Sequence, residues 1–227
     1  MQPRLLILET SQRVAKVALA LGDAIVGEQT LDEQRRHARD LTPAVQTLLQ
    51  SQGWKARDLN GVIVSRGPGS YTGLRVGVMS AKMLAYATGC TLLAIDTFAA
   101  IALQASETGA VRNVDVIADA QQGKVYAQRF GAHPEPLLIV PLEMWLESAL
   151  AWNVVATGPG LETFAAKLPA ALKKAPEIAW YPQSASLLRL ALERMSRGER
   201  DDSFAVEPLY LRASSAETKW HTLHPAK

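Results

Sequence analysis

A single cysteine, Cys90, occurs in 227 residues. No intramolecular disulfide can form, and no CxxC metal or redox motif exists. One leftover thiol fits a reducing compartment. Histidine is sparse too, with His37, His133, His221 and His224 making up the four present. His37 stands alone on its segment, and His221 and His224 have only Glu217 as a nearby acid, so no metal site is expected. Long apolar runs are missing at the start of the chain, where Leu5 to Leu8 is the only continuous one before Glu9. That is too short for a signal-peptide core or a membrane span, and a soluble cytoplasmic protein with no membrane partner is expected. Net charge is almost absent at +2. Strong nucleic-acid binding through charge alone is therefore not expected.

What is present is material for a core, with 48% hydrophobic against 20% charged residues. This suffices for one large domain or two small ones. Leu5–Leu8 reads as a strand buried on both faces. Val14–Leu21 and Ile25–Leu31 read as two more, joined antiparallel through the Gly22–Asp23 turn. From 34 to 52 the period becomes helical, with Ala38, Leu41, Val45, Leu48 and Leu49 on one face. Two starts are open: Thr42 as cap with Pro43 first, or a longer helix kinked at Pro43. Gly53 ends it. A strand at Val62–Ser65, a helix at Gly73–Thr88, a strand at Thr91–Ile95 and a helix over 97–106 complete a mixed α/β half. The second half holds two strands around Asp119 and another in "NVVATGPG". Its amphipathic helix, "SASLLRLALERMSRG", carries Leu188, Ala191, Leu192 and Met195 as the apolar stripe.

The halves share a plan. "LLILETSQRVAKVALA" and "VDVIADAQQGKVYAQR" each run from an apolar strand to an acid (Glu9, Asp119), a polar turn, then Lys-Val and a second strand. An internal repeat offset by roughly 110 residues builds two lobes with a cleft between them.

"SRGPGSYTGLRVG", residues 65–77, is the densest motif. It is no P-loop, because Leu74 follows Gly73 where lysine is required. It is no dinucleotide fingerprint, because the glycine after Gly67 and Gly69 comes one residue late. Gly67 and Gly69 can take positive φ on either side of Pro68. Ser70 or Thr72 can cap the next helix, whose free amides could hold an anion. On that helix Gly73, Gly77, Ala81 and Ala85 recur every four residues as a stripe of tiny side chains, and only Arg75 and Lys82 are charged. One face packs on the helix's own sheet, and either the first helix or a partner chain is expected to cover the rest. A hydrolase triad drawn from Ser70 and His37 lacks the G-x-S-x-G elbow.

The glycine-loop string closely resembles that of the TsaB (YeaZ) family. Weaker matches follow in order: "LLILETS", then His37, Leu41 and Pro43 in "RRHARDLTPAVQTLL", then "AIDTFAAIA", "ADAQQGKVYAQRF" and "VEPLYLRASSAETKW". The resemblance implies a two-lobed, actin-like (ASKHA, RNase H-like) α/β fold with mixed sheets and flanking helices. Residues 1–104 would form the N-terminal lobe and 105–227 a smaller C-terminal one, with the end of the chain returning to the first. It implies a non-catalytic scaffold that pairs with a TsaD-like paralogue and a TsaE-like ATPase in threonylcarbamoyl transfer to the tRNA adenosine beside the anticodon. It needs no cofactor of its own; ATP and metal are expected on the partners, and tRNA is met only through the complex. A homodimer is also allowed.

This chain departs from an actin-like Asp-x-Gly-[Thr/Ser] phosphate turn, which here reads Glu9-Thr10-Ser11-Gln12. Losing the glycine hinders close approach of backbone to phosphate. Gln121 also stands where the family segment has arginine. A vestigial nucleotide cleft is therefore placed at Glu9, Thr10, Ser11, Gly67, Gly69, Ser70 and Asp119. The partner-binding surface is placed at Leu41, Val45, Leu48, Leu74, Val78, Met79, Lys82, Met83 and Tyr86. The rival readings are an ATPase or sugar-kinase-like phosphotransferase using the cleft, and direct tRNA binding through Arg35, Arg36 and Arg39 or through Lys219, His221, His224 and Lys227.

Overall fold

The computed structural model describes residues 2–31, 37–108 and 113–211. Two five-stranded sheets form. In the first, β1 (Arg4–Glu9), β2 (Lys16–Leu21), β3 (Ala24–Thr30), β4 (Gly61–Gly67) and β5 (Thr91–Asp96) lie in the order β3-β2-β1-β4-β5. β1 pairs antiparallel with β2 and parallel with β4, and β4 is parallel to β5. The carboxyl ends of β1, β4 and β5 therefore share one edge, which is where open α/β sheets place their sites.

β1 is buried on both faces, as its unbroken apolar run requires. Leu6 and Leu8 meet one core and Leu5 and Ile7 another, by the alternation of a strand. The first core lies under α1 (His37–Ser51) and α2 (Tyr71–Thr88). The second lies under α3 (Thr97–Glu107) and α6 (Ser184–Ser196). Of the two starts open for α1, the structure takes the longer: Pro43 sits inside the helix.

The second sheet repeats the plan. Its strands β6 (Val114–Asp119), β7 (Lys124–Phe130), β8 (Leu138–Pro141), β9 (Val155–Thr157) and β10 (Lys173–Lys174) lie in the order β10-β9-β6-β7-β8. Counted from β6, that is the order of the first sheet. β6 is antiparallel to β7 and parallel to β9, as β1 is to β2 and β4. Both sheets also follow their fourth strand with Gly-Pro-Gly. The repeat seen in the sequence is thus a repeat of topology. Helices α4 (Leu142–Ala151) and α5 (Gly160–Thr163) cover one face of this sheet; α3 covers the other through Phe98, Ile101, Ala102 and Ala105. Since Ala100 of α3 belongs to the first sheet's core, this helix joins the two.

After α6 the chain forms a strap over β5 and α2. The Asp201 amide donates to Leu92 O (2.9 Å), and the Asp201 carboxylate accepts from the Ala94 amide (2.7 Å) and from Arg194 (3.0 Å). The Leu209 amide then donates to Arg66 O (2.7 Å). The strap occupies the exposed edge of β5, which is otherwise an invitation to another strand.

Candidate functional site

Glu9 ends β1, and the chain must turn there to begin the hairpin with β2. The Ser11 amide and hydroxyl both donate to Glu9 Oε1, at 2.7 and 2.5 Å. Gln12 Nε2 donates to Ser11 Oγ (3.0 Å), leaving the serine proton for the carboxylate. The Thr10 amide donates to Ser65 Oγ on β4 (3.2 Å). In the second lobe the Gln121 amide bonds Asp119 Oδ1 at 2.7 Å, the same turn built on the same repeat. The environments differ: Glu9 is buried, whereas Asp119 is exposed.

The glycine loop closes on this turn. The Ser70 amide donates to Ser11 O (2.7 Å), and Ser70 Oγ caps α2 by accepting from the Gly73 amide (3.3 Å). Of the two expected positive-φ glycines, Gly67 has one, at 115°. Gly69 is needed for a different reason, because a Cβ there would lie 2.3 Å from Ser11 O. Continuing along α2, a Cβ on Gly73 would lie 2.1 Å from Thr10 O, and one on Gly77 2.0 Å from Thr10 Oγ1. The glycine half of the stripe is therefore filled from inside by Thr10, while Ala81 and Ala85 pack in the first core. Six of the seven proposed cleft residues lie in this turn and in the loop that closes on it, where Glu9 Oε2 and Thr10 Oγ1 are buried without a hydrogen-bond partner among the described residues; Asp119 belongs to the equivalent turn of the other lobe.

Burial pushes the Glu9 carboxyl up to about 6 from an ordinary 4.5, against the Ser11 bonds, the Ser65 hydroxyl and the Lys16 charge, all of which favour ionisation. A folded-state value above the unfolded one means that the native chain holds this proton more tightly. Its contribution to stability is therefore complete below pH 4.5 and is lost as pH rises through about 6. Glu9→Gln should remove that loss and raise stability by about 2 kcal/mol at pH 7.5, with no gain at pH 4. Urea unfolding at the two pH values checks it; equal effects at both would refute the assignment.

The expected partner surface divides. Leu41, Leu48 and Val78 are buried in the first core and Leu74 is buried as well, so all four face inward and cannot be contacts. Val45 is half-buried against the same core. Helical period identified an apolar face correctly, but that face looks inward. Lys82 is half-buried and spends its ammonium on the strap, donating to Val206 O (2.8 Å) and Phe204 O (3.3 Å). What remains outside is Met79 (54% exposed), Met83 (67%) and Tyr86 (74%), on one stripe of α2. Phe204, 76% exposed, stands edge-on to Tyr86 with ring centres 5.7 Å apart. Sequence reasoning missed Phe204 and also Tyr210, which lies 4.8 Å from Tyr71; an isolated aromatic in a polar tail gives no periodic signal. The unsealed helix is thus partly sealed by its own chain.

Of the residues considered for tRNA, Arg39 is exposed and paired with Asp40 at 3.0 Å. Arg35, Arg36, Lys219, His221, His224 and Lys227 lie outside the described residues, as do Glu217 and the His37 side chain. No group of three potential metal ligands occurs among the described residues. No helix among them is long and apolar enough to cross a membrane.

Two sheets of identical strand order, an acid turn at the end of each first strand and a shared helix between them define an actin-like, two-lobed α/β protein. A family model described as TsaD, tRNA N6-adenosine threonylcarbamoyltransferase, matches residues 25–220. The chain belongs to that family, on its TsaB (YeaZ) branch. It is 28% identical over 229 residues to "tRNA threonylcarbamoyladenosine biosynthesis protein TsaB" of Bacillus subtilis, covering 95% of this chain and 97% of that protein. It is 26% identical over 227 residues to the Escherichia coli protein of the same name, with the same coverage. A solved Pseudomonas aeruginosa structure, described as an uncharacterized protein with similarity to peptidase YEAZ, superposes with a TM-score of 0.78 at 26% identity, covering 92% of this chain and 100% of that one.

Proposed function

We propose that this chain is the non-catalytic activating subunit of a tRNA threonylcarbamoyltransferase assembly, docking a TsaD-like paralogue through the outer stripe of α2. The observation that carries it is the cluster of Met79, Met83 and Tyr86, exposed on a helix whose other face is firmly seated, with Phe204 of the strap exposed beside them. Apolar, methionine-bearing surface of this kind suits a protein partner better than phosphate. The relatives' names place them in threonylcarbamoyladenosine biosynthesis, and the family model is that of the transferase. A non-catalytic role is supported by the glycine loop, whose Ser70 amide is spent on Ser11 O and whose neighbouring space Thr10 fills. The paralogue then supplies the metal and the transfer chemistry, a TsaE-like ATPase joins the pair, and tRNA is met through the assembly in the cytoplasm. Self-pairing through the same stripe is the form the chain takes without its partner.

Titration calorimetry of the chain against the paralogue tests this. Met83→Asp should weaken binding about 30-fold while changing stability by less than about 0.5 kcal/mol. Leu74→Arg should behave differently, losing the fold itself, because Leu74 is core. Undiminished binding by Met83→Asp sinks the assignment. Tight ATP binding with turnover by the chain alone would favour the phosphotransferase reading instead.

A further inference from the structure

Glu9 takes no part in any chemistry described above, yet it is a fully buried acid at the edge where sites gather. Its Oε1 accepts two bonds from Ser11, while Oε2 has no hydrogen-bond partner among the described residues. The turn it holds reaches the docking helix by three routes. Ser11 O accepts the Ser70 amide, the cap residue of α2. Thr10 O sits in the notch left by Gly73, and Thr10 Oγ1 in the notch left by Gly77. The helix is thus seated from its inner side by a turn whose shape Glu9 fixes.

The groups facing Glu9 are few. Lys16 of β2 stands directly opposite it in the register, with its ammonium held by Gln183 Oε1 (2.5 Å). β4 brings Ser65. The helices closing this face of the sheet, α3 and α6, begin with Thr97 and Ser184, neither of which titrates. The arginines of α6 are engaged elsewhere, Arg189 with Glu107 and Arg194 with Asp201 and Glu199. On α2 the inward positions are glycine, alanine, leucine and valine. Among the described residues named here, Glu9 is therefore the group whose charge changes near neutral pH, and ionised acceptors make shorter and stronger bonds than neutral ones.

We propose that Glu9 is a positioning residue for the docking face: its carboxylate fixes the turn at residues 9–11, the turn seats α2, and affinity for the partner follows the protonation of Glu9. This deepens the reading of the α2 stripe and rests on it. The carboxylate costs the free chain stability and improves the seat, so stability and affinity move in opposite directions at this residue. An ordinary core residue moves them together.

The test compares the full chain with Glu9→Gln, and with Ser11→Ala as a second variant, binding the intact TsaD-like paralogue at pH 5 and pH 7.5. Using the ratio of variant to wild-type Kd cancels titration of the partner. Glu9→Gln should bind about 3- to 10-fold more weakly at pH 7.5 and equally at pH 5, while melting higher than the wild type at pH 7.5. Ser11→Ala, which keeps the amide donor and loses the hydroxyl, should shift affinity the same way by less. Equal binding by Glu9→Gln at pH 7.5, or a deficit of the same size at both pH values, overturns the inference alone. If the wild type binds at neither pH, the docking-face reading falls and takes this inference with it.

Discussion

Gly73→Ala should cost the protein about 3 kcal/mol or more, although alanine is the better helix former by about 1 kcal/mol. The sign is the point. Position 73 lies in the first turn of an 18-residue helix, where propensity alone predicts a gain. The new methyl would lie 2.1 Å from the carbonyl oxygen of Thr10. That oxygen belongs to backbone that cannot easily retreat, since the Thr10 amide is bonded to Ser65 Oγ and the next carbonyl to the Ser70 amide. Overpacking against fixed backbone is relieved only by lifting the helix, which opens the first core. Gly77→Ala meets the Thr10 hydroxyl at 2.0 Å, with the Thr10 Cβ next at 3.1 Å. Thr10→Ala should therefore recover much of the Gly77→Ala loss and none of the Gly73→Ala loss. Thermal melts of the two double-mutant cycles give the result, with coupling above about 1 kcal/mol expected only for the position 77 cycle. A Gly73→Ala protein as stable as the parent would show that α2 is not seated on this turn. The proposed route from Glu9 to the docking face would then be broken.

The second large effect is expected in the other lobe, at Asp115. This buried carboxylate on β6 takes Arg129 Nε (2.7 Å) and Nη2 (2.9 Å) as a fork, and Trp145 Nε1 at 3.1 Å. The Arg129 side chain is itself only 12% exposed. Its hydrogen bond to Asp115 raises the guanidinium further above its usual value. Asp115→Ala leaves a shielded cation and an indole N–H without their acceptor, at a cost of about 3–5 kcal/mol. Removing both charges should be far milder, so Asp115→Ala combined with Arg129→Met is expected to recover most of the loss. Urea unfolding of the three variants decides it. A single-variant loss below about 1 kcal/mol would mean that the lobe does not depend on this cross-strand pair between β6 and β7.

Much of the architecture was readable beforehand because it rests on local rules. The uninterrupted apolar run at Leu5–Leu8 gave a central strand, and Gly22, at a φ of 63°, gave the hairpin. Glu9 and Asp119, each followed two residues later by an amide that turns back to it, marked the repeat. The span from β8 through α4 went unread, because Leu138–Ala151 mixes a four-residue strand directly into a short helix with no turn signal between them. The docking face was half legible. The absence of acidic residues from α2 was visible, but Leu74 and Met83 look alike in a composition, and only the position of the sheet tells which of them is inside.

The sequence by itself determined most of the strands and helices, the duplicated plan and the departure of Glu9-Thr10-Ser11-Gln12 from a phosphate-turn pattern, since each follows from side-chain period, backbone freedom and residue identity over a few neighbours. Tertiary structure alone decided that Thr10 fills the glycine stripe, that Lys82 is spent on a strap returning from more than a hundred residues away (donors and acceptors 122 and 124 positions apart), and that Phe204 joins Met79, Met83 and Tyr86. The reason is distance along the chain. Contacts between segments that far apart are selected by how two sheets and their covering helices pack, and no local pattern records which side chain will be left facing water.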